Sequence, residues 1–554
     1  MKTSALLSCA LPFLVASFAT IGCSSDAEEP SGNGNLSVGD EDMTKLDDGK
    51  SDSSVEAVVV NFEFDGELVT DSSWNPESKI EDQLLYTIGH LNGDDSVGRL
   101  DRVTLTNIQK VQEDGKTKIS YHAVLPVAWG ERNNVPANYT LRLPRDVTYS
   151  GQTAFTDKYK HDCVDYGAHD VTSGSMWYYY RPNLSRCNLA DADIVTVEAT
   201  VTLSDVNTTG KFPEYHKVWE DDELRILAVF GKYEDGATTS SDAGIAGYNK
   251  FASAIRSELS QYGLTTTPAE VPTSPGVDAP DLEFQATLPD GKKVQVNALL
   301  VDNVSSAGAT FNTRYEGLST HADFIAYNGH AGLGQNVRAL ASKGKWVQGQ
   351  YVIVFLNGCD SYAYVDSALA DAHMAVNPDD TVGTKYLDTM TNVLPSFFAS
   401  MSNATMAMVR GLMSFETPKT YEQIFKSVDS SQEVIVSGEQ DNEYFPGWPG
   451  GGTDPVDGWE GLEGSGTVAA GAEDRYETPA LPAGAYEIAM TGDHDADLFV
   501  RIGEAPTKEL WDCRPFKTGS NETCVVELSA PAPIHVMVRG WAQSSGYSLT
   551  GRTQ

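Results

Sequence analysis

The sequence is poor in positive charge, in cysteine and in long apolar runs. It carries 39 lysine and arginine residues against 78 aspartate and glutamate residues, a formal net charge of -39 over 554 residues. Nucleic-acid binding requires clustered lysine and arginine to meet phosphates, so this composition argues against a nucleic-acid partner. A chain of this length is expected to fold as about three or four domains with an acidic, solubilising surface.

Apolar runs are short, and the first of them lies at the N-terminus. Residues 5–19 follow Lys2 and fall short of the roughly 20 apolar residues that a membrane helix needs, so 1–22 is predicted to be a signal peptide. The following segment resembles a bacterial lipobox, which implies lipidation of Cys23 and a lipid anchor in the outer membrane or at the cell surface. Cleavage after Ala19 would instead release a secreted protein. Either way, the protein is predicted to be exported.

Seven cysteines are few for an exported chain, and they can be assigned one by one. Cys9 is removed with the signal peptide and Cys23 is the lipidation candidate. Two further pairs close short loops in a compartment where disulfides persist: Cys163 with Cys187, and Cys513 with Cys524. Cys359 is left over. A thiol that survives outside the cell is either deeply buried or used for its reactivity, so Cys359 is a candidate nucleophile, with an inert buried cysteine as the alternative.

Changes of residue pattern divide the rest of the chain. A Ser-, Gly- and acid-rich stretch is followed by period-two alternation, then by strands that alternate with helices, and a Gly- and Pro-rich segment precedes the last strands. The predicted parts are a flexible tether (23–54), a β-rich, β-sandwich-like domain (55–215), an α/β domain (222–445), a linker (446–461) and a C-terminal β-sandwich (462–554).

Two glycine-rich loops follow two apolar strands of the α/β domain. Residues 324–327 run into the loop that contains His330, and residues 352–356 run into the loop that contains Cys359. The separation, 359 − 330 = 29 residues, is enough for one crossover helix between parallel strands. Because sites in parallel sheets lie at the carboxyl ends of the strands, the two side chains are predicted to lie close together, a thiolate beside a proton-carrying imidazole.

This pattern resembles the caspase-like fold of clan CD cysteine peptidases, including the gingipains, over about residues 222–445. The resemblance implies a mostly parallel sheet, Cys359 as the nucleophile that forms a thioester, and His330 as the acid and base. It also implies an oxyanion site made by the backbone N–H groups of Gly332 and Cys359, with no cofactor and no metal required. Gly358 stands where the family commonly has Ala or Ser. A cysteine endopeptidase acting on protein or peptide substrates is the leading hypothesis.

The C-terminal strands, such as 495–501 and 536–541, resemble the bacterial pre-peptidase C-terminal domain over about residues 462–554. That resemblance implies a small β-sandwich appended to a secreted peptidase, which aids secretion or binds substrate. Three acidic side chains could bind Ca²⁺, with a solvated acidic turn as the alternative: Asp493, Asp495 and Asp497.

A second function remains open from the sequence. The protein could be a non-catalytic surface lipoprotein that binds polysaccharide or protein ligands. His330 and Cys359 would then be structural remnants of an enzyme.

Overall fold

The computed structural model describes residues 51–446, 448, 459, 461–482, 484–508, 510–528 and 532–553. The predicted signal peptide, Cys23, most of the tether and most of the linker lie outside these residues. The chain divides into two compact units. The first runs to Pro213 and includes Glu223–Met413 and Lys419–Asp441; the second includes Glu214–Asp222, Ser414–Pro418 and the described residues from Asn442 onwards. No helix within the described residues is long and apolar enough to cross a membrane.

The first described strand, β1 (Asp52–Ser54), precedes a mixed sheet, and a set of short helices follows the chain through this region. The strands of the sheet are β2 (Val58–Thr70), β3 (Ser96–Gly98), β4 (Thr104–Glu113), β5 (Lys116–Trp129), β6 (Asn138–Pro144) and β7 (Ile194–Leu203), in the order β3-β5-β2-β7-β6 with β4 also paired to β5. The helices are α1 (Pro76–Leu84), α2 (Tyr86–Asn92), α3 (Tyr149–Tyr159) and α4 (Met176–Tyr179).

This N-terminal region was predicted to be β-sandwich-like, and that prediction is wrong. The described residues form one sheet here, and helices α1 and α2 contact strands β2, β3 and β6. Alternation along a strand shows that one face is covered, but it carries no information on whether helices or a second sheet cover it.

A nine-stranded sheet forms the other part of the first unit, in the order β1-β15-β14-β13-β12-β8-β11-β10-β9. Its further strands are β8 (Glu223–Gly231), β9 (Thr265–Thr267), β10 (Asp281–Thr287), β11 (Lys293–Val301), β12 (Phe324–Asn328), β13 (Val352–Asn357), β14 (Leu387–Asn392) and β15 (Val434–Ser437). The five central strands, β14-β13-β12-β8-β11, run parallel, and the outer pairings are antiparallel. Continuous apolar sequence at the centre suits strands that are covered on both faces.

Helices connect most of these strands, although no α-helix separates β9, β10 and β11. The helices are α6 (Ala243–Leu259), α7 (Ala309–Ser319), α8 (Gln335–Lys343), α9 (Ala368–Val376), α10 (Phe398–Leu412) and α11 (Tyr421–Phe425), while α5 (Tyr215–Val218) belongs to the second unit. Short 3₁₀ turns follow two of the parallel strands, at Gly332–Gly334 and Ser361–Tyr364.

The tether was predicted to extend to residue 54, but residues 52–54 are strand β1, paired antiparallel with β15. The Asp52 N–H donates to Val206 O at 2.8 Å, and the Thr208 N–H donates to Asp52 O at 3.0 Å, so both edges of the strand are used. The buried Asp52 carboxylate also accepts from Arg102 at 2.6 Å. The tether was predicted from composition alone, and composition does not reveal this strand because backbone pairing does not require apolar side chains.

The second unit contains two sheets that enclose an apolar core of their own. One has the order β16-β22-β18-β20 and the other β17-β21-β19. The strands are β16 (Leu462–Ala469), β17 (Glu473–Glu477), β18 (Gly484–Gly492), β19 (Ala496–Ile502), β20 (Glu522–Leu528), β21 (Ile534–Gly540) and β22 (Ser544–Thr553). Side chains such as Ile488, Leu498 and Val536 meet between the sheets, which gives a small sandwich.

Candidate functional site

The carboxyl ends of β12 and β13 bring the two predicted site residues to the same edge of the nine-stranded sheet. The strands pair in parallel with Asn328 opposite Asn357, and His330 and Cys359 each follow their strand by two residues. The two loops touch, because a Cβ on Gly358 would lie 2.9 Å from the Gly329 carbonyl oxygen. Gly358, which departs from the clan CD pattern, is therefore required by the close approach of two backbones.

A buried polar network supports these loops. Three consecutive parallel strands each end in an asparagine: Asn328, Asn357 and Asn392. Asn357 Nδ2 donates to Asn328 Oδ1 at 2.8 Å, and Asn357 Oδ1 accepts from Asn392 at 2.9 Å and from Gln432 at 3.0 Å. These hydrogen bonds are costly to break, because each lost partner leaves a further buried polar group unsatisfied. The sequence analysis missed this network, although asparagine at three strand ends was a usable signal.

His330 lies in an aromatic setting at this edge. Its ring centroid is 5.1 Å from that of Tyr233 and 4.9 Å from that of Phe398. His330 Nε2 lies 2.9 Å from the Tyr233 carbonyl oxygen, which can only accept, so this nitrogen carries the proton. Tyr327 Oη and Asn336 Nδ2 both donate to the His330 carbonyl oxygen, which fixes the backbone of the loop.

Cys359 is buried, with 2% of its surface exposed. Its Sγ accepts from the Ser396 N–H at 3.2 Å. The Ser396 carbonyl oxygen lies 3.2 Å from the same sulfur.

The remaining predicted positions can be located individually. Gly332, the predicted oxyanion residue, begins a 3₁₀ turn and has a left-handed φ of 60°. Cys23 lies outside the described residues. Where both sulfurs are described, the structure contains two disulfides: Cys163–Cys187 and Cys513–Cys524.

Asp360, the residue after Cys359, is a further buried group at this edge. It is fully buried and adopts a left-handed φ of 50°. Burial raises its pKa to about 7, although the Asn92 hydrogen bond, the charge of Arg181 and the Tyr178 hydroxyl all act to lower it. The neighbours of Asp360 include Asn92 of the distant N-terminal region, so no local sequence pattern identifies them.

The acidic turn of the C-terminal sandwich is occupied by protein donors. Asp493 accepts from the Gly546 N–H at 2.6 Å, and Asp495 accepts from the Gly519 N–H at 2.9 Å. Asp497 accepts from Arg514 at 2.7 Å. These carboxylates do not form a metal site, and the described residues contain no cluster of three or more potential metal ligands. Asp493 and Asp495 are held by backbone donors and the buried Asp497 is paired with Arg514, so the arrangement is neither the predicted Ca²⁺ site nor a fully solvated turn.

The same sandwich presents two exposed aromatic rings on a fixed support. Trp541 and Phe516 are 53% and 67% exposed. Trp541 Nε1 donates to Asp497 at 2.9 Å, and the Arg514 guanidinium lies 4.1 Å from the Phe516 ring centroid and 4.5 Å from that of Phe499. One buried carboxylate and one arginine therefore hold two exposed rings in place, which is the character of a binding surface.

No family model matches the chain. It is 50% identical over 58 residues to alkaline serine exoprotease A of Vibrio alginolyticus, over 10% of this chain and 11% of that protein. It is 38% identical over 90 residues to a zinc metalloprotease of Helicobacter pylori, over 16% of this chain and 34% of that protein. A solved structure, the solution structure of vEP C-ter 100, is 32% identical, covers 16% of this chain and 88% of that chain, and has a TM-score of 0.15.

These matches lie in the C-terminal region, and the chain spans only about a tenth to a third of the length of these two curated relatives. They overturn the clan CD assignment, because the relatives include metalloproteases rather than caspase-like or gingipain-like cysteine peptidases. The cysteine peptidase mechanism and the expectation that no cofactor is required are contradicted with it. The short motifs around His330 and Cys359 misled the sequence analysis, since loops rich in glycine follow parallel strands in many folds.

A catalytic zinc requires a defined set of protein ligands. Proteases with the His-Glu-x-x-His motif bind the metal through two histidines one helical turn apart. None of the ten histidines in this sequence is followed by glutamate, and all ten lie in described positions. Together with the lack of a metal-ligand cluster among the described residues, this means that the chain does not fit that zinc site.

Proposed function

We propose that the protein is an exported hydrolase of protein or peptide substrates, in which the C-terminal sandwich holds the substrate. The observation that carries this proposal is the C-terminal sequence shared with proteases of two different reaction types, a serine exoprotease and a zinc metalloprotease. The same region accompanies two unrelated catalytic mechanisms. It is therefore expected to serve a task that both enzymes share, which is the handling of polypeptide outside the cytoplasm.

The exposed rings of the sandwich support this assignment. Trp541 and Phe516 offer rigid apolar surface at a low entropic cost, since their supports are already hydrogen-bonded or stacked. Arg514 between them can meet backbone carbonyl groups of a bound polypeptide as well as the rings.

For the reaction itself, the carboxyl edge of β12 and β13 is the candidate region. His330 is partly exposed there, lies between two aromatic rings and sits on a loop braced by Tyr327 and Asn336. An imidazole in this position can exchange a proton with a bound substrate. Cys359 is given no nucleophilic role in this proposal.

The test is hydrolysis of a fluorescently labelled, denatured protein by the purified full chain. Parallel reactions contain a metal chelator, a serine-directed reagent or a thiol-directed reagent, so that the reaction type is read directly. We expect hydrolysis that the thiol reagent leaves unchanged. A preparation that cleaves no protein or peptide in any of these conditions would sink the proposal, and the His330→Gln variant prepared in the same way controls for contaminating proteases.

A further inference from the structure

Three buried polar atoms near Asp360 have no hydrogen-bond partner among the described residues. They are Asp360 Oδ2, Asn92 Oδ1 and Tyr364 Oη. Their residues are 0%, 8% and 2% exposed, so bulk water does not satisfy them. A buried acceptor without a donor is destabilising, and more so when it is charged, so a group of such atoms indicates an occupant.

The three atoms belong to one site. Asn92 Nδ2 donates to Asp360 Oδ1 at 3.1 Å, which places the Asn92 amide oxygen beside the same carboxylate. The charge of Asp360 acts on the Tyr364 hydroxyl, and the Trp177 ring lies 6.3 Å from the Tyr364 ring. The carboxylate and the amide oxygen are acceptors, and aromatic rings border them.

Neither Tyr178 nor Arg181 supplies the donor that Asp360 Oδ2 lacks. The Tyr178 hydroxyl interacts with the Asp360 carboxylate and lowers its pKa, but Oδ2 has no partner at hydrogen-bond geometry among the described residues. Arg181 Nη1 donates to the carbonyl oxygens of Gly89 and Tyr178, at 2.5 and 3.1 Å, and its Nε lies 3.6 Å from Asp165. The guanidinium therefore attracts Asp360 electrostatically while its hydrogen bonds go elsewhere.

We propose that Asp360, Asn92 and Tyr364 form a binding site for a primary ammonium group. An ammonium group supplies three donors for two acceptors and a hydroxyl, and aromatic rings attract a cation that has left water. A divalent metal fits less well, because the site offers one carboxylate and the described residues contain no cluster of metal ligands. Trp177, which contacts Tyr364, and Tyr178, which interacts with Asp360, are each 8% exposed, so these neighbours of the site reach solvent.

The ammonium group could come from a lysine side chain or from a free amine, and the experiment separates the two sources. Binding to the full chain is measured by calorimetry with n-butylamine, with the methylamide of N-acetyl-lysine, and with the norleucine analogue, which lacks the amine. The variants are Asp360→Asn and, as the matched control, Asp366→Asn, which removes a carboxylate from the same segment. This readout is independent of any hydrolysis.

We expect both amines, or the lysine derivative alone, to bind the wild type and Asp366→Asn, and the norleucine analogue not to bind. Asp360→Asn is expected to weaken binding about tenfold or more, because a hydrogen bond to a charged group is lost. If Asp360→Asn fails to fold, Tyr364→Phe takes its place and is expected to weaken binding several-fold. The proposal would be overturned if neither amine binds, if the norleucine analogue binds equally well, or if Asp360→Asn and Tyr364→Phe bind as tightly as the wild type. Ordered water would then be the occupant.

Discussion

The edge of the nine-stranded sheet and the C-terminal sandwich differ in whether their candidate functional groups are buried or exposed. At the sheet edge, amides, a carboxylate and a cysteine are buried beneath touching loops. In the sandwich, the carboxylate is buried and the rings that it supports are exposed. Sequence similarity to known proteases is confined to the C-terminal region, so it bears on the exposed rings of the sandwich. The chemistry of the sheet edge has to be tested directly.

The largest expected effect is at the buried network. Asn357→Leu removes the central amide and its hydrogen bonds to Asn328, Asn392 and Gln432, so the free energy of unfolding should fall by about 3 kcal/mol or more. Urea denaturation measures this loss. Asn133→Ala, an exposed change in the N-terminal region, should stay within about 0.5 kcal/mol of wild type. Equal midpoints for the two variants would mean that the sheet edge does not depend on its buried amides.

A second effect concerns acid stability. His373 is fully buried, both of its ring nitrogens lack hydrogen-bond partners among the described residues, and burial lowers its pKa from 6.5 to about 4, while Asp380 opposes that shift. As the pH falls, the unfolded chain therefore takes up the proton before the folded chain does. The stabilisation that comes from keeping His373 neutral is fully present above pH 6.5 and is lost as the pH falls towards 4.

At pH 5 the protonation of unfolded His373 should cost about 2 kcal/mol relative to pH 7. The measurement is the difference in unfolding free energy between pH 7 and pH 5, by urea denaturation, for wild type and His373→Leu. The variant should lose less stability than the wild type over this interval. An identical loss would show that the buried imidazole does not contribute to acid sensitivity.

The third prediction concerns proton transfer at the sheet edge. His330→Gln should lower kcat/KM for a protein substrate at least about tenfold. The control is His321→Gln, which changes the histidine that precedes the amino end of the same strand, β12, and it should leave the rate unchanged. Loss of activity in both variants would point to damage of the strand instead of removal of a functional group.

The smallest effect is expected in the sandwich. Trp541→Ala and Phe516→Ala should raise KM for a large protein substrate about threefold, with kcat unchanged and with no effect on a short peptide. Val525→Ala removes a 49% exposed side chain from β20, which belongs to the other sheet, and serves as the control. A change in kcat, or an equal effect on short peptides, would argue that these rings do not hold substrate.

The sequence predicted local features better than it predicted their surroundings. Apolar runs gave strands β12 and β13, because burial on both faces leaves a direct mark on composition. It did not reveal that helices cover the N-terminal sheet or that residues 52–54 form a strand, because both depend on contacts between distant segments. The hydrogen bond between Asn92 and Asp360, 268 residues apart, is beyond any local pattern. Short motifs at His330 and Cys359 likewise could not distinguish one reaction from another.

Strand β1 has a practical consequence for producing the protein. Its three residues cover the edge of β15, and Asp52 is itself hydrogen-bonded to Val206 and Thr208, so the β15 edge of the nine-stranded sheet is covered. A shortened chain that began at residue 55, the predicted start of the folded part, would uncover the backbone N–H and C=O groups of β15. Exposed strand edges pair with other chains, and such a truncation is expected to self-associate, whereas a chain that keeps residues 51–54 retains its edge cover.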